Sequence, residues 1–154
     1  MKNSIKKVST IFFALLFCLI SNAQVQYNTG DAELDSDLSS INADANLDFG
    51  AFKTNLTLSY DISEKKIDYL NISVKMEPAE IYFALELSKL SGRSIDQVVE
   101  IYEVNKDKGW GFIAKQLGIK PGSPEFHSLK EQTKNKGAKG KSKSKSKKGK
   151  SKKE

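Results

Sequence analysis

Apolar residues between positions 31 and 133 recur mostly at intervals of three and four, and this spacing predicts a mainly helical chain. The stretch "DAELDSDLSSINADA" is typical, because its apolar positions would share one helical face, and its acidic residues crowd the first turn, where the helix dipole favours them. A segment of about 100 residues can form one small hydrophobic core. We therefore predict a single all-α domain over 31–133, a small bundle of about five to seven short helices. The apolar positions of that stretch are Leu34, Leu38, Ile41 and Ala45.

The clearest helix is "EPAEIYFALELSKLSG". Pro78 occupies a first-turn position and Gly92 follows the last turn, as is usual at helix starts and ends. Apolar residues occur on more than one face, so we predict that this helix is the central and most buried one. The next helix, "SIDQVVEIYEV", has Ser94 as its N-cap.

Residues 49–62 fit two patterns. Phe49, Phe52 and Leu56 have helical spacing, whereas Leu56, Leu58, Tyr60 and Ile62 alternate as in a strand. We favour the helix because a lone strand would leave its backbone groups without partners. A short helix capped by Ser63 is expected to follow.

The stretch "KGWGFIAKQLGIKPGSPEFHSLK" predicts a hairpin of two helices. The first helix runs from about Trp110 to Leu117 and is closed by Gly118 in the left-handed conformation. Ser123 caps the second helix and Pro124 occupies its first position. The hairpin has the outline of a DNA-reading helix-turn-helix.

A DNA-reading role is disfavoured, because the second helix offers two carboxylates and few cations to a polyanion. Trp110 could stack on sugar rings, but its spacing favours packing beneath the helix. His127 is the only histidine, so a metal site would have to combine it with neighbouring carboxylates such as Glu125 and Glu131. A lone histidine on a capped helix is more often a surface or packing residue. We therefore predict no metal, no cofactor and no catalytic residue. The possible binding surface of the motif comprises Trp110, Lys115, Lys120, Glu125, His127 and Lys130.

The segment "DKGWGFIAKQLGIKPGSPEFHSLK" resembles the signature GWGxIAKxLGIKPGSxEFHxLK of small exported proteins of Gram-negative bacteria whose function is uncharacterised. The likeness extends upstream through "MEPAEIYFALELSKLSG" and "VVEIYEVNK". Asp107 departs from this pattern, because a glycine or another small polar residue is expected at its position. The resemblance implies export and a shared helical domain, and no activity, ligand or cofactor.

The N-terminus has the three parts of a secretory signal peptide. Lysines precede the uncharged run "IFFALLFCLI", and "SNA" ends at Ala23 with a small residue at the cleavage position. The apolar run is shorter than the roughly 20 residues needed to span a bilayer. We predict a signal peptide over 1–23 and a linker over 24–30, without a transmembrane segment after cleavage. Cys18 leaves with the signal, so the mature chain has no disulfide.

Charge is divided sharply along the chain. Residues 24–133 hold 11 basic and 18 acidic residues, a net charge of −7, whereas residues 134–154 hold 11 lysines and one glutamate, a net charge of +10. The tail has no aromatic or branched apolar residue, so we predict that 134–154 is disordered. Its predicted polyanion-binding residues are Lys134, Lys136, Lys139, Lys141, Lys143, Lys145, Lys147, Lys148, Lys150, Lys152 and Lys153.

These features predict an exported protein, periplasmic or extracellular, that acts as a non-catalytic binding or structural module. The expected partners of the tail are anionic polymers, namely lipopolysaccharide, acidic polysaccharide and extracellular DNA. A solubilising tail, or one paired with the acidic domain of the same chain, is the simpler alternative. A helix-turn-helix nucleic-acid binder, an envelope hydrolase and a metal-binding protein are the remaining alternatives.

Overall fold

The computed structural model describes the backbone of residues 25–150 and the side chains of residues 25–138. The predicted signal peptide, 1–23, and the last four residues, 151–154, lie outside this range. Within it the chain forms seven α-helices and no strand, which confirms the all-α prediction. The helices are α1 (Ala32–Leu47), α2 (Phe49–Tyr60), α3 (Glu64–Ile72), α4 (Pro78–Ser91), α5 (Ile95–Asn105), α6 (Trp110–Gln116) and α7 (Pro124–Lys150), with a 3₁₀ turn at Lys106–Lys108.

Short polar side chains fix where most helices begin. Ser63 accepts a hydrogen bond from the backbone N–H of Lys66, and Ser94 forms a reciprocal capping box with Gln97. Such caps satisfy backbone donors that a first helical turn leaves without partners. The predicted caps of α3 and α5 are therefore confirmed.

Residues 49–60 are helical, as we favoured. α2 buries Phe52 and Leu56, whereas Leu58 keeps 83% of its surface exposed. A strand would have buried Leu56 and Leu58 on the same face. The burial pattern has helical spacing, so the segment packs on the domain by one face of α2.

Helix α4 forms the centre of the bundle, as predicted. It contacts α1, α2, α3, α5 and α7, and its residues from 81 to 87 are all buried. Gly92 ends the helix at φ 69°, a left-handed conformation that glycine adopts without strain. Every other helix therefore packs against this central helix, α6 through the side chain of Trp110.

Helix α7 does not end at the domain boundary predicted at 133. It lies parallel to α1: Lys130 and Lys134 contact the start of α1, and Gly137 approaches Asp37 one to two turns further on. Thr133 and Gly137 are buried. Residues 134–138 of the predicted tail therefore pack against α1 as part of this helix. The side chains of 139–150 lie beyond the part that the structure describes.

Candidate functional site

The predicted hairpin of the signature segment is present. α6 ends at Gln116, Gly118 adopts φ 86°, and the N–H of Ile119 donates back to the carbonyl oxygen of Ala114 at 2.9 Å. The hydroxyl of Ser123 accepts the N–H of Phe126 at 3.2 Å at the start of α7. The turn therefore closes one helix and opens the next by backbone geometry that the sequence specifies locally.

The predicted linker over 24–30 is wrong from Val25 onwards. Tyr27 is 2% exposed, and its carbonyl oxygen accepts the N–H of Trp110 at 2.8 Å. The carbonyl oxygen of Asn28 accepts the N–H of Gly111 at 3.0 Å. The N-terminal segment therefore crosses the first turn of α6 and satisfies donors that the helix start leaves without partners.

This crossing explains the two glycines around Trp110. A Cβ atom at Gly111 would lie 2.3 Å from the carbonyl oxygen of Thr29, and one at Gly109 would lie 2.4 Å from Cβ of Asn28. Gly109 also has φ 81°, which side chains rarely adopt. The two glycines therefore allow the N-terminal segment to cross the start of α6 at close range.

Trp110 is not a surface residue, so its place in the predicted binding surface is wrong. It is 2% exposed, stacks on Tyr102 with ring centroids 5.0 Å apart, and meets Phe83 edge-on at 5.4 Å. Its indole N–H donates to Glu80 Oε1 at 3.1 Å. Burial and the nearby Glu80 carboxylate raise the pKa of Tyr102. The packing interpretation of Trp110 is therefore confirmed.

The other predicted motif residues divide into two groups. Lys115, Lys120 and Glu125 are exposed and do not share a concave surface with the rest. His127 and Lys130 line an open groove of about 460 Å³ between the start of α1 and the first turns of α7. The remaining lining residues are Asp31, Glu33, Leu34, Asp37, Gly122, Phe126, Glu131 and Lys134.

Ion pairs occupy the basic side of this groove. Lys130 Nζ lies 2.7 Å from Asp31 Oδ2 and 3.5 Å from Glu33 Oε2, and Lys134 Nζ lies 2.9 Å from Glu33 Oε1. These lysines hold the pKa of each of the two carboxyls below its usual range, chiefly through their hydrogen bonds. Lys130 and Lys134 are thus already paired with carboxylates, an arrangement that disfavours a phosphate backbone at this groove.

A buried polar cluster around Glu86 escaped the sequence analysis. Glu86 is 3% exposed and accepts a hydrogen bond from the hydroxyl of Tyr60. The terminal amide of Gln132 lies 2.9 Å from Glu86 Oε2 when its nitrogen faces that carboxylate. Burial first, and the Glu86 carboxylate second, raise the pKa of Tyr82. An acidic residue in the middle of an apolar helix is the signal that could have pointed to this cluster.

The predicted polyanion-binding lysines begin on the folded domain. Lys134 is exposed and paired with Glu33, and Lys136 Nζ lies 5.5 Å from the ring centroid of Phe52 and 5.8 Å from that of Tyr82. The side chains of the other nine predicted lysines, from Lys139 onwards, fall outside the described range. The sequence therefore missed that the first two contact the domain.

Between residues 25 and 138, no group of three or more histidine, cysteine or acidic side chains has a geometry that could hold a metal ion. No helix in the described part of the chain combines the length and apolar character needed to cross a membrane.

Comparisons of the chain with protein-family models, with curated proteins and with solved structures gave no match. The resemblance to small exported proteins of Gram-negative bacteria therefore stays a prediction.

Proposed function

We propose that this chain is an exported, non-catalytic binding or structural module whose lysine-rich C-terminal segment attaches to anionic polymers. The observation that carries the proposal is the continuity of α7. One helix begins inside the folded domain at Pro124 and its backbone continues to Lys150, through nine of the 11 lysines of the C-terminal segment 134–154. A 27-residue helix is about 40 Å long, so α7 connects the folded domain directly to the lysine-rich segment.

Charge distribution supports attachment by the basic segment rather than by the domain. Residues 24–133 carry a net charge of −7, and polyanions are repelled by such a body at low ionic strength. Lysines that neutralise a polyanion release its condensed counterions, which gives binding that is strong at low salt and nearly independent of sequence. Lipopolysaccharide, acidic polysaccharide and extracellular DNA share this chemistry, and all three fit an exported location in the periplasm or outside the cell.

Salt-dependent retention tests the proposal. The mature chain, residues 24–154, is compared with a chain that ends at Ala138 on immobilised lipopolysaccharide, acidic polysaccharide and DNA. The shorter chain keeps every buried residue that the structure describes, so a loss of retention reports on the tail. We expect the full chain to be retained at low salt and released as salt rises. Equal retention of both chains, or retention by the full chain that does not change with salt, would refute the proposal.

A further inference from the structure

Two lysines of α7, Lys130 and Lys134, lie where the lysine-rich segment begins, and both are paired with carboxylates at the start of α1. Lys130 is paired with Asp31 at 2.7 Å, and Lys134 is paired with Glu33 at 2.9 Å. The side chain of Lys130 is 30% exposed and that of Lys134 is 66% exposed. Because the two positions are four residues apart, their ammonium groups share one face of the helix.

One of the two α1 carboxylates, that of Asp31, is also held by a hydrogen bond that does not involve a lysine. Asp31 is the N-cap of α1, and its Oδ1 accepts the N–H of Leu34 at 3.0 Å while its Oδ2 accepts Lys130. The cap fixes the side chain, so little further conformational freedom is lost when the ion pair forms. An internal partner fixed in this way has a high effective concentration compared with a polymer in solution.

From these contacts we infer that α1 acts as an internal competitor for polyanions. Asp31 and Glu33 keep Lys130 and Lys134 out of the polyanion-binding surface, so the chain attaches through fewer lysines than its sequence offers. A polymer must break both ion pairs before it can use these two ammonium groups. The inference rests on the proposed function, and it adds an autoinhibitory contact within the same chain.

Neutralising the carboxylates of Asp31 and Glu33 tests whether α1 competes with polyanions for the two lysines. In the mature chain, D31N and E33Q are combined; asparagine is also a good N-cap, so the start of α1 is retained. The probe is duplex DNA, whose affinity is measured across a salt series. Two released lysines should steepen the slope of log affinity against log salt by about 1.8, since each phosphate neutralised on B-DNA contributes about 0.9. Affinity at low salt should rise accordingly.

A matched control separates local pairing from net charge. Glu100 and Glu103 are exposed on α5 and make no ion pair within the described residues. The E100Q/E103Q variant changes the net charge by the same amount as D31N/E33Q, and we expect it to leave the slope unchanged. Equal slopes in D31N/E33Q and the unsubstituted chain, or an equal increase in the control, would overturn the inference.

The reciprocal variant gives a second test that does not depend on the α1 cap. K130Q/K134Q should bind duplex DNA with the same slope as the unsubstituted chain, because those lysines are already occupied. A slope shallower by about 1.8 would show that both contact the polymer, and would contradict the inference. If the unsubstituted chain itself fails to bind, the proposed function fails together with the inference; if it binds and only the slopes disagree with expectation, the proposed function stands.

Discussion

Replacing Gly111 by alanine tests the crossing of the N-terminal segment over α6. Alanine is ordinarily better than glycine within a helix by about 1 kcal/mol. Here the added Cβ would lie 2.3 Å from the carbonyl oxygen and 2.7 Å from the carbonyl carbon of Thr29. Both atoms belong to the backbone, so the segment itself must move. Helix propensity alone therefore predicts that G111A raises the free energy of unfolding, whereas the clash with Thr29 predicts that G111A lowers it.

The expected loss follows from what the segment contributes. Displacement breaks two backbone hydrogen bonds, each worth about 1 kcal/mol, and exposes Tyr27, whose burial is worth about 2 kcal/mol. After the gain in helix propensity is subtracted, the free energy of unfolding should fall by about 3 kcal/mol. Urea unfolding followed by the fluorescence of Trp110, the only tryptophan of the chain, measures it directly.

Two controls make the result interpretable. Gly50 lies near the start of α2, where a Cβ would meet only Asp48 Oδ1 at 3.8 Å, so G50A should raise the free energy of unfolding by up to about 1 kcal/mol. In a chain that starts at Asp31 the clash is gone, and G111A should then stabilise. If G111A leaves the stability of the mature chain unchanged or raises it, the account of the glycines is wrong.

Three further substitutions test individual contacts. W110F removes the donor to Glu80 and part of a filled core site, and should lower the free energy of unfolding by about 2 to 3 kcal/mol in urea titrations followed by circular dichroism; a change below about 0.5 kcal/mol would contradict the packing described. E86A leaves Tyr60 and Gln132 without their buried acceptor and should cost about 3 kcal/mol, whereas a near-neutral result would mean that solvent replaces the carboxylate. Asp31 has a pKa lowered chiefly by its hydrogen bond from its lysine partner, so its contribution to stability is complete above the ordinary aspartate value of about 3.9 and is lost as the pH falls through the lowered value. The stability difference between the unsubstituted chain and D31N should therefore shrink on acidification, and a difference that stays constant with pH would refute the assignment.

Local signals predicted much of the fold. The caps Ser63, Ser94 and Ser123 and the left-handed Gly118 act within four residues of their own positions, so their effects follow from the sequence near them. Helical spacing likewise identified α4 as the central helix, because a helix that is apolar on most faces must be surrounded.

Long-range contacts explain what the sequence did not predict. The glycines at 109 and 111 are required by Tyr27 to Thr29, some 80 residues earlier, and nothing local signals that pairing. The packing of α7 just past Thr133 depends on contact with α1, which brings Gly137 next to Asp37, although this segment has no aromatic or branched apolar side chain to bury. The pairing of Lys130 and Lys134 with α1 depends on that same parallel packing.

The central claim is that the lysines of the C-terminal segment, and not the folded domain, attach the chain to polyanions. The most direct measurement uses a variant of residues 24–154 in which every lysine from Lys139 to Lys153 is replaced by glutamine, so that chain length is unchanged. Its affinity for duplex DNA is measured against salt beside that of the unsubstituted chain. We expect a steep salt dependence for the unsubstituted chain and almost none for the variant. A variant that retains the affinity and the salt slope of the unsubstituted chain would contradict the account.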